Sequence, residues 1–249
     1  MRPIILSIFL FTAAGAFGQS YWINVKAGPS LGFQQWNNSS SNTNSQLYGY
    51  HAALGIESYS ETSPSALFAQ IGYHLRGSAI RFRSSGYFDP ITGAYHDAPA
   101  SSVDFIFKNV ALLLGAKKKD ILGSKDAYFT FSIRGEYTVG TNLTSPDPNS
   151  YYAYSFYPTS GGVNKINYGA SVGGGYDFAF SELVGGALEL NIHRDFSNQY
   201  YTAPIPNVTM YDYATGQRTQ GTLPEQSIKN TTLELSFVLR FLNKVVYTE

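Results

Sequence analysis

The chain has 249 residues, no cysteine, and 17 Lys plus Arg against 17 Asp plus Glu, so its formal net charge is zero. Charged residues make up only 14 % and aromatic residues reach 16 %, whereas a soluble domain carries about 25 % charged residues. These figures exclude a disulfide scaffold, a coiled coil, collagen, and a nucleic-acid-binding surface, which needs an excess of Lys and Arg to displace counterions.

Arg2 gives a short basic start, residues 4–11 are an almost unbroken apolar run, and residues 13–18 are rich in small side chains, ending Ala16-Phe17-Gly18 before Gln19. The pattern predicts a secretory signal peptide cleaved after residue 18, leaving residues 19–249 as one domain. The run is too short for a bilayer-spanning helix, which needs about 20 apolar residues.

From there the chain alternates with period two, the signature of strands with one apolar face. Residues 21–33 set Ile23, Val25, Ala27 and Leu31 against Asn24, Lys26, Gly28 and Gly32. Residues 47–59 set Tyr48, Tyr50, Ala52, Leu54 and Ile56 against Gly49, His51, Gly55 and Glu57, and residues 66–76 set Leu67, Ala69, Ile71, Tyr73 and Leu75 against Gln70, Gly72, His74 and Arg76. The fourth segment, 103–116, is irregular: Val103, Phe105 and Phe107 share one parity, Val110, Leu112 and Leu114 the other. A β-bulge near Lys108-Asn109 would restore a single apolar face and turn Asp104 and Lys108 to the polar side. Regular alternation returns in residues 127–139, 164–180, 184–193 and 229–241, where Thr130, Arg134 and Glu136, then Asn167, Ser171 and Asp177, then Glu189, Asn191 and His193, then Glu234, Ser236 and Arg240 occupy the polar faces.

The connections alternate in length. Residues 34–46, 84–102, 140–163 and 195–228 are long, and residues 60–65, 117–126 and 181–183 between them are short. Short turns at one end and long loops at the other predict an outer-membrane barrel of eight antiparallel up-and-down strands, each long enough to cross at a tilt. Two loop segments, 87–95 and 211–217, each end a turn in Thr-Gly and read as hairpin tips above the wall. Counted as spanning hairpins they would give ten or twelve strands, but their flanks lack a sustained apolar face, which favours eight.

Several motifs resemble the outer-membrane β-barrel domain common in Bacteroidota, the PorT-like relatives of the OmpA-type barrel. They are the signal ending before Gln19, Val25-Lys26-Ala27-Gly28 in the first strand, the stretch from Phe105 to Lys117, and the closing Leu235-Ser236-Phe237-Val238-Leu239-Arg240-Phe241. Asn109 stands where that family usually has Pro. The resemblance implies an outer-membrane location and, in some members, a part in protein secretion or an accessory role. It supplies no catalytic residues.

An eight-stranded barrel is just wide enough for side chains to fill. The predicted lumen holds Lys26, Arg76, Lys108, Arg134 and Arg240 with Glu57, Asp104, Glu136, Asp177, Glu189 and Glu234, an expected network of paired charges. His51 faces His74 if the second and third strands form a hairpin, a pair able to share a hydrogen bond, to hold a metal or to sense pH. His193, Asp195 and Ser197 are the one cluster with the residue types of an acyl-transfer site, but alternation puts them on one strand face without an oxyanion donor. No phosphate-binding, zinc or dinucleotide motif is present, and no metal or cofactor is expected.

Tyr151, Tyr152, Tyr154, Phe156 and Tyr157 crowd five rings into seven loop residues, as a belt at the lipid boundary or as a contact patch for a partner. The charged turn from Lys117 to Asp126 reads as a solvated knob or as a dock for a periplasmic partner. The expected function is therefore that of a non-enzymatic structural or accessory subunit of an envelope assembly, touching outer-membrane lipid and other envelope proteins but no nucleic acid. A small-solute or ion pore is the alternative, and a lipid-active barrel enzyme the third reading.

Overall fold

The computed structural model describes residues 20–37, 44–60, 63–82, 84–88, 93–121, 123–145, 158–211 and 217–245. The predicted signal peptide and the Tyr-rich cluster of residues 151–157 lie outside the described residues. Eight long strands form one antiparallel ring: β1 (Tyr21–Asn37), β2 (Asn44–Ser58), β3 (Ser65–Phe82), β6 (Ser101–Ile121), β7 (Ser124–Thr141), β8 (Ile166–Ala179), β9 (Val184–Asp195) and β13 (Gln226–Asn243). Between them, β4 (Ser85–Phe88) pairs with β5 (Tyr95–Ala98), and β11 (Ile205–Tyr211) pairs with β12 (Arg218–Leu223), as two separate hairpins. A short β10 (Tyr200–Thr202) continues the wall beside β13 above the end of β9. Both hairpins rise from long loops and neither enters the ring, so the wall has eight strands.

Each ring strand pairs with its sequence neighbour in the ring, and the circle closes where β1 meets β13, from Tyr21↔Asn243 to Asn37↔Ser227. Closure removes every edge from the wall, and in lipid it satisfies every ladder hydrogen bond internally. Gly28 makes this seam possible: a Cβ there would overlap the carbonyl oxygen of Leu235 on β13. The ring strands run from 12 residues in β9 to 21 in β6. About 9–11 tilted residues cross the apolar layer, so the wall continues above it at the long-loop end.

The two faces of the wall are inverted relative to a soluble sheet. Outward positions are apolar and exposed: Val25, Leu54, Ile71, Leu112, Ile133, Val172, Leu190, Ile192 and Leu235 form an aliphatic band. Tyr48, Tyr50, Tyr137 and Tyr168 border it toward the long loops, and Phe129, Tyr176, Phe180 and Phe241 toward the short turns. Water would not tolerate this surface, whereas the apolar band and aromatic girdles match a bilayer. The inward positions are the polar ones. The protein is an eight-stranded antiparallel up-and-down transmembrane β-barrel.

The fourth segment departs from expectation. A register shift does fall at Lys108/Asn109, but the unpaired residue is Val139 on β7, since Lys108 faces Gly140 and Asn109 faces Thr138. β6 therefore keeps one parity throughout. Phe105, Phe107 and Asn109 turn inward and are buried, while Asp104 and Lys108 are exposed on the outer surface, so neither belongs to the lumen network predicted for them. The reason is that the barrel's filling changes with height. At the long-loop end the inward side chains are Trp36, Leu47, Ile80, Phe105, Phe107 and Ile228, an apolar tier in which Trp36 meets Phe105 edge-on with ring centroids 5.0 Å apart. An apolar run in β6 can face either lipid or this tier, and periodicity alone does not distinguish them. The turn from Lys117 to Asp126 is also tighter than expected, because β6 reaches Ile121 and β7 starts at Ser124.

Candidate functional site

Below the apolar tier the lumen is filled by polar side chains in three layers, each set by strand parity. The upper layer centres on Arg76 (β3), Arg134 and Glu136 (β7) and Asp195 (β9). Glu136 Oε1 lies 2.7 Å from Arg76 Nη2 and 2.9 Å from Arg134 Nε, and Arg134 also pairs with Asp195. Arg76 is completely buried. Buried charges survive only when paired and hydrogen-bonded, and amides add hydrogen bonds to both carboxylates. The Asn109 Nδ2 donates to Glu136 at 3.0 Å and to Gln199 Oε1 at 3.0 Å, and the Asn230 Nδ2 donates to Asp195 at 2.9 Å.

The middle layer gathers three histidines around one carboxylate. His74 Nδ1 and His193 Nε2 each lie 2.8 Å from an oxygen of Glu234, and His51 Nδ1 lies 3.9 Å away. Serines hold the outer ends of the group, with Ser236 Oγ 2.7 Å from His51 Nε2 and Ser171 Oγ 2.6 Å from His193 Nδ1. His51 and His74 face one another in the register and stack, with ring centroids 5.8 Å apart and planes only 7° from parallel. Stacked imidazoles present π faces to each other, so their in-plane lone pairs do not converge on one ion. No group of three or more His, Cys, Asp or Glu suited to a metal occurs among the described residues.

In the lower layer Asp177 (β8) gathers Arg240 Nη1 at 2.6 Å, Lys119 at 2.9 Å and Lys117 at 3.3 Å. Arg240 also reaches Glu57 at 2.8 Å. Lys26 pairs with Glu189 at 3.1 Å, and Glu189 takes a hydrogen bond from the Tyr128 hydroxyl at 3.0 Å. Lys117 is not part of a solvated knob: its ammonium sits inside, 3.5 Å from the centroid of the Tyr128 ring, a cation–π contact in a dry setting.

Between the lower and middle layers lies a cavity of about 30 Å³ bounded by Lys26, Gln70, Thr130, Ser171, Asn191 and His193 among others. That is room for one or two water molecules, not for a solute. His193, Asp195 and Ser197 do not converge: His193 turns to Glu234, Asp195 to Arg134 and Asn230, and Ser197 to the Tyr168 backbone and Asn167. The hydroxyl that His193 contacts belongs instead to Ser171, on the neighbouring strand β8. The pairing Ser171↔His193 across β8 and β9 places them together. Sequence reasoning put both on polar faces without joining them, because two strands' registers must be known first. The buried amides Asn109, Gln199 and Asn230 were missed for a different reason: as uncharged residues they carry no signal of site chemistry.

No protein-family model and no curated protein sequence matches the chain. Solved structures similar to it include the outer membrane protein OprG from Pseudomonas aeruginosa, at 8 % identity over 90 % of this chain and 97 % of that one, with a TM-score of 0.48. The outer membrane protease OmpT from Escherichia coli aligns at 12 % identity over 91 % and 97 % of the two chains, with a TM-score of 0.36. AlkL, an outer membrane protein studied in lipid bilayers, aligns at 8 % identity over 93 % and 94 %, with a TM-score of 0.33. The expectation of a chain that is not an enzyme is corrected: an outer membrane protease stands among the similar structures. An apolar band around a charged lumen is the anatomy of an outer-membrane β-barrel.

Proposed function

We propose that the protein is a closed outer-membrane barrel that acts through its wall and long loops, as a structural or accessory subunit of an envelope assembly. The observation that supports this reading is the filling of the lumen: the Arg76–Glu136–Arg134–Asp195 layer lies directly beneath the apolar tier of Trp36, Phe105 and Phe107. A solute crossing the barrel would have to break both. The small-solute or ion pore, the alternative drawn from sequence, would need both layers to open. Kinship with the PorT-like barrels of Bacteroidota, carried by the motifs around Lys26 and Arg240, and export by a signal peptide of residues 1–18 belong to the same reading.

Extraction from outer membranes in mild detergent, without overexpression, tests it. A protein partner co-purifying in fixed stoichiometry is expected, together with no steady conductance in planar bilayers. Isolation as a lone barrel with a steady open conductance would overturn the reading in favour of the pore.

A further inference from the structure

The outer wall is not uniformly filled. Leu112, Gly135 and Tyr168 stand abreast on β6, β7 and β8 and all point outward. Gly135 leaves a gap between its two large neighbours, and nothing lies within 4 Å of where its Cβ would be. The gap opens into a groove of about 360 Å³ walled by Leu112, Leu114, Ile133, Tyr168 and Phe196 and almost wholly apolar. Toward the long-loop end it meets a second depression of about 430 Å³ that shares Tyr168 and Phe196 but is polar, lined by Asn164, Ser197, Asn198 and Lys229.

The order of these surfaces along the wall is that of an amphiphile. Carbon lines the part within the aliphatic band, an aromatic pair marks the boundary, and a cation and amides line the part above it. No carboxylate lines either depression among the described residues. The long-loop end of such barrels faces outward, so the occupant comes from the outer leaflet.

We propose that this groove is a binding site for one phosphorylated glycolipid of the outer leaflet, with an acyl chain laid against Gly135, its phosphate at Lys229 and a sugar hydroxyl at the exposed Asn164. The site is independent of the lumen and of any protein partner.

Native mass spectrometry tests it on the full barrel, extracted in mild detergent, stripped of lipid and titrated with purified lipid A. The wild type retains one lipid A per barrel. Gly135→Leu fills the apolar end and Lys229→Gln removes the cation, and each lowers retention about tenfold, equivalent to roughly 1.4 kcal/mol. Ala52→Leu, which adds bulk to the outward face of β2, leaves retention unchanged, and heat-modifiable mobility on gels verifies that every variant is a closed barrel. Lipid A lacking phosphate binds the wild type and Lys229→Gln alike. Retention in Gly135→Leu equal to wild type, or a preference of the wild type for phospholipid over lipid A, overturns the proposal.

Discussion

Arg76 and Glu136 meet at 2.7 Å across the lumen, on strands that are not neighbours in the wall, with neither side chain reached by solvent. The pair ties β3 to β7 through the barrel's interior and is the centre of the layer that closes it. Glu136→Ala leaves two guanidiniums, those of Arg76 and Arg134, facing each other without their shared carboxylate. Removing one partner of a buried pair costs about 3–5 kcal/mol. The denaturant midpoint of the barrel in detergent, read by gel mobility, falls accordingly.

Asp104 and Lys108 supply the contrast. Both are charged and both lie on β6, but they point outward above the aliphatic band. Asp104→Asn and Lys108→Gln each change stability by less than about 0.5 kcal/mol, the range for surface substitutions. A loss as large as that of Glu136→Ala would place them inside the lumen after all.

Phe107 tests the upper tier. Truncation to Ala in a fully buried setting costs about 3–5 kcal/mol. Phe107→Ala barrels nevertheless stay silent in planar bilayers, because the charged layer beneath is intact. Steady conductance in this variant would mean that the apolar tier alone forms the seal.

Gly28 tests the seam. Gly28→Ala drives a methyl group into the backbone of Leu235 and strains the closing ladder, an overpacking cost of about 1–3 kcal/mol. The fraction of chain that reaches the closed, heat-modifiable form drops, whereas Gly135→Ala, made where space is open, leaves it unchanged.

Much of this barrel was legible in the residue order. Alternation at Ile23 to Leu31 or Phe129 to Val139 has one apolar face, and loop lengths that alternate with it leave few architectures. The facing of His51 and His74 follows from the length of one short turn. What escaped the sequence is tied to height along the barrel. Phe105 and Phe107 look like lipid-facing residues until the lumen is known to turn apolar above the membrane. Lys117 looks like a turn residue until β6 is seen to run on to Ile121. The group around Glu234 draws on β2, β3, β9 and β13, so it exists only once four registers are set.

The seam between β1 and β13 joins residues as far apart as Tyr21 and Asn243, 222 positions along the chain. Until β13 arrives, the first strand and β9 are both bare edges, each an apolar-faced template for pairing with another chain. Among the pairings of the wall this seam spans the longest stretch of chain and so carries the largest loop-closure penalty. An unclosed barrel therefore presents two edges open to self-association, and the pairing of β1 with β13 removes both at once.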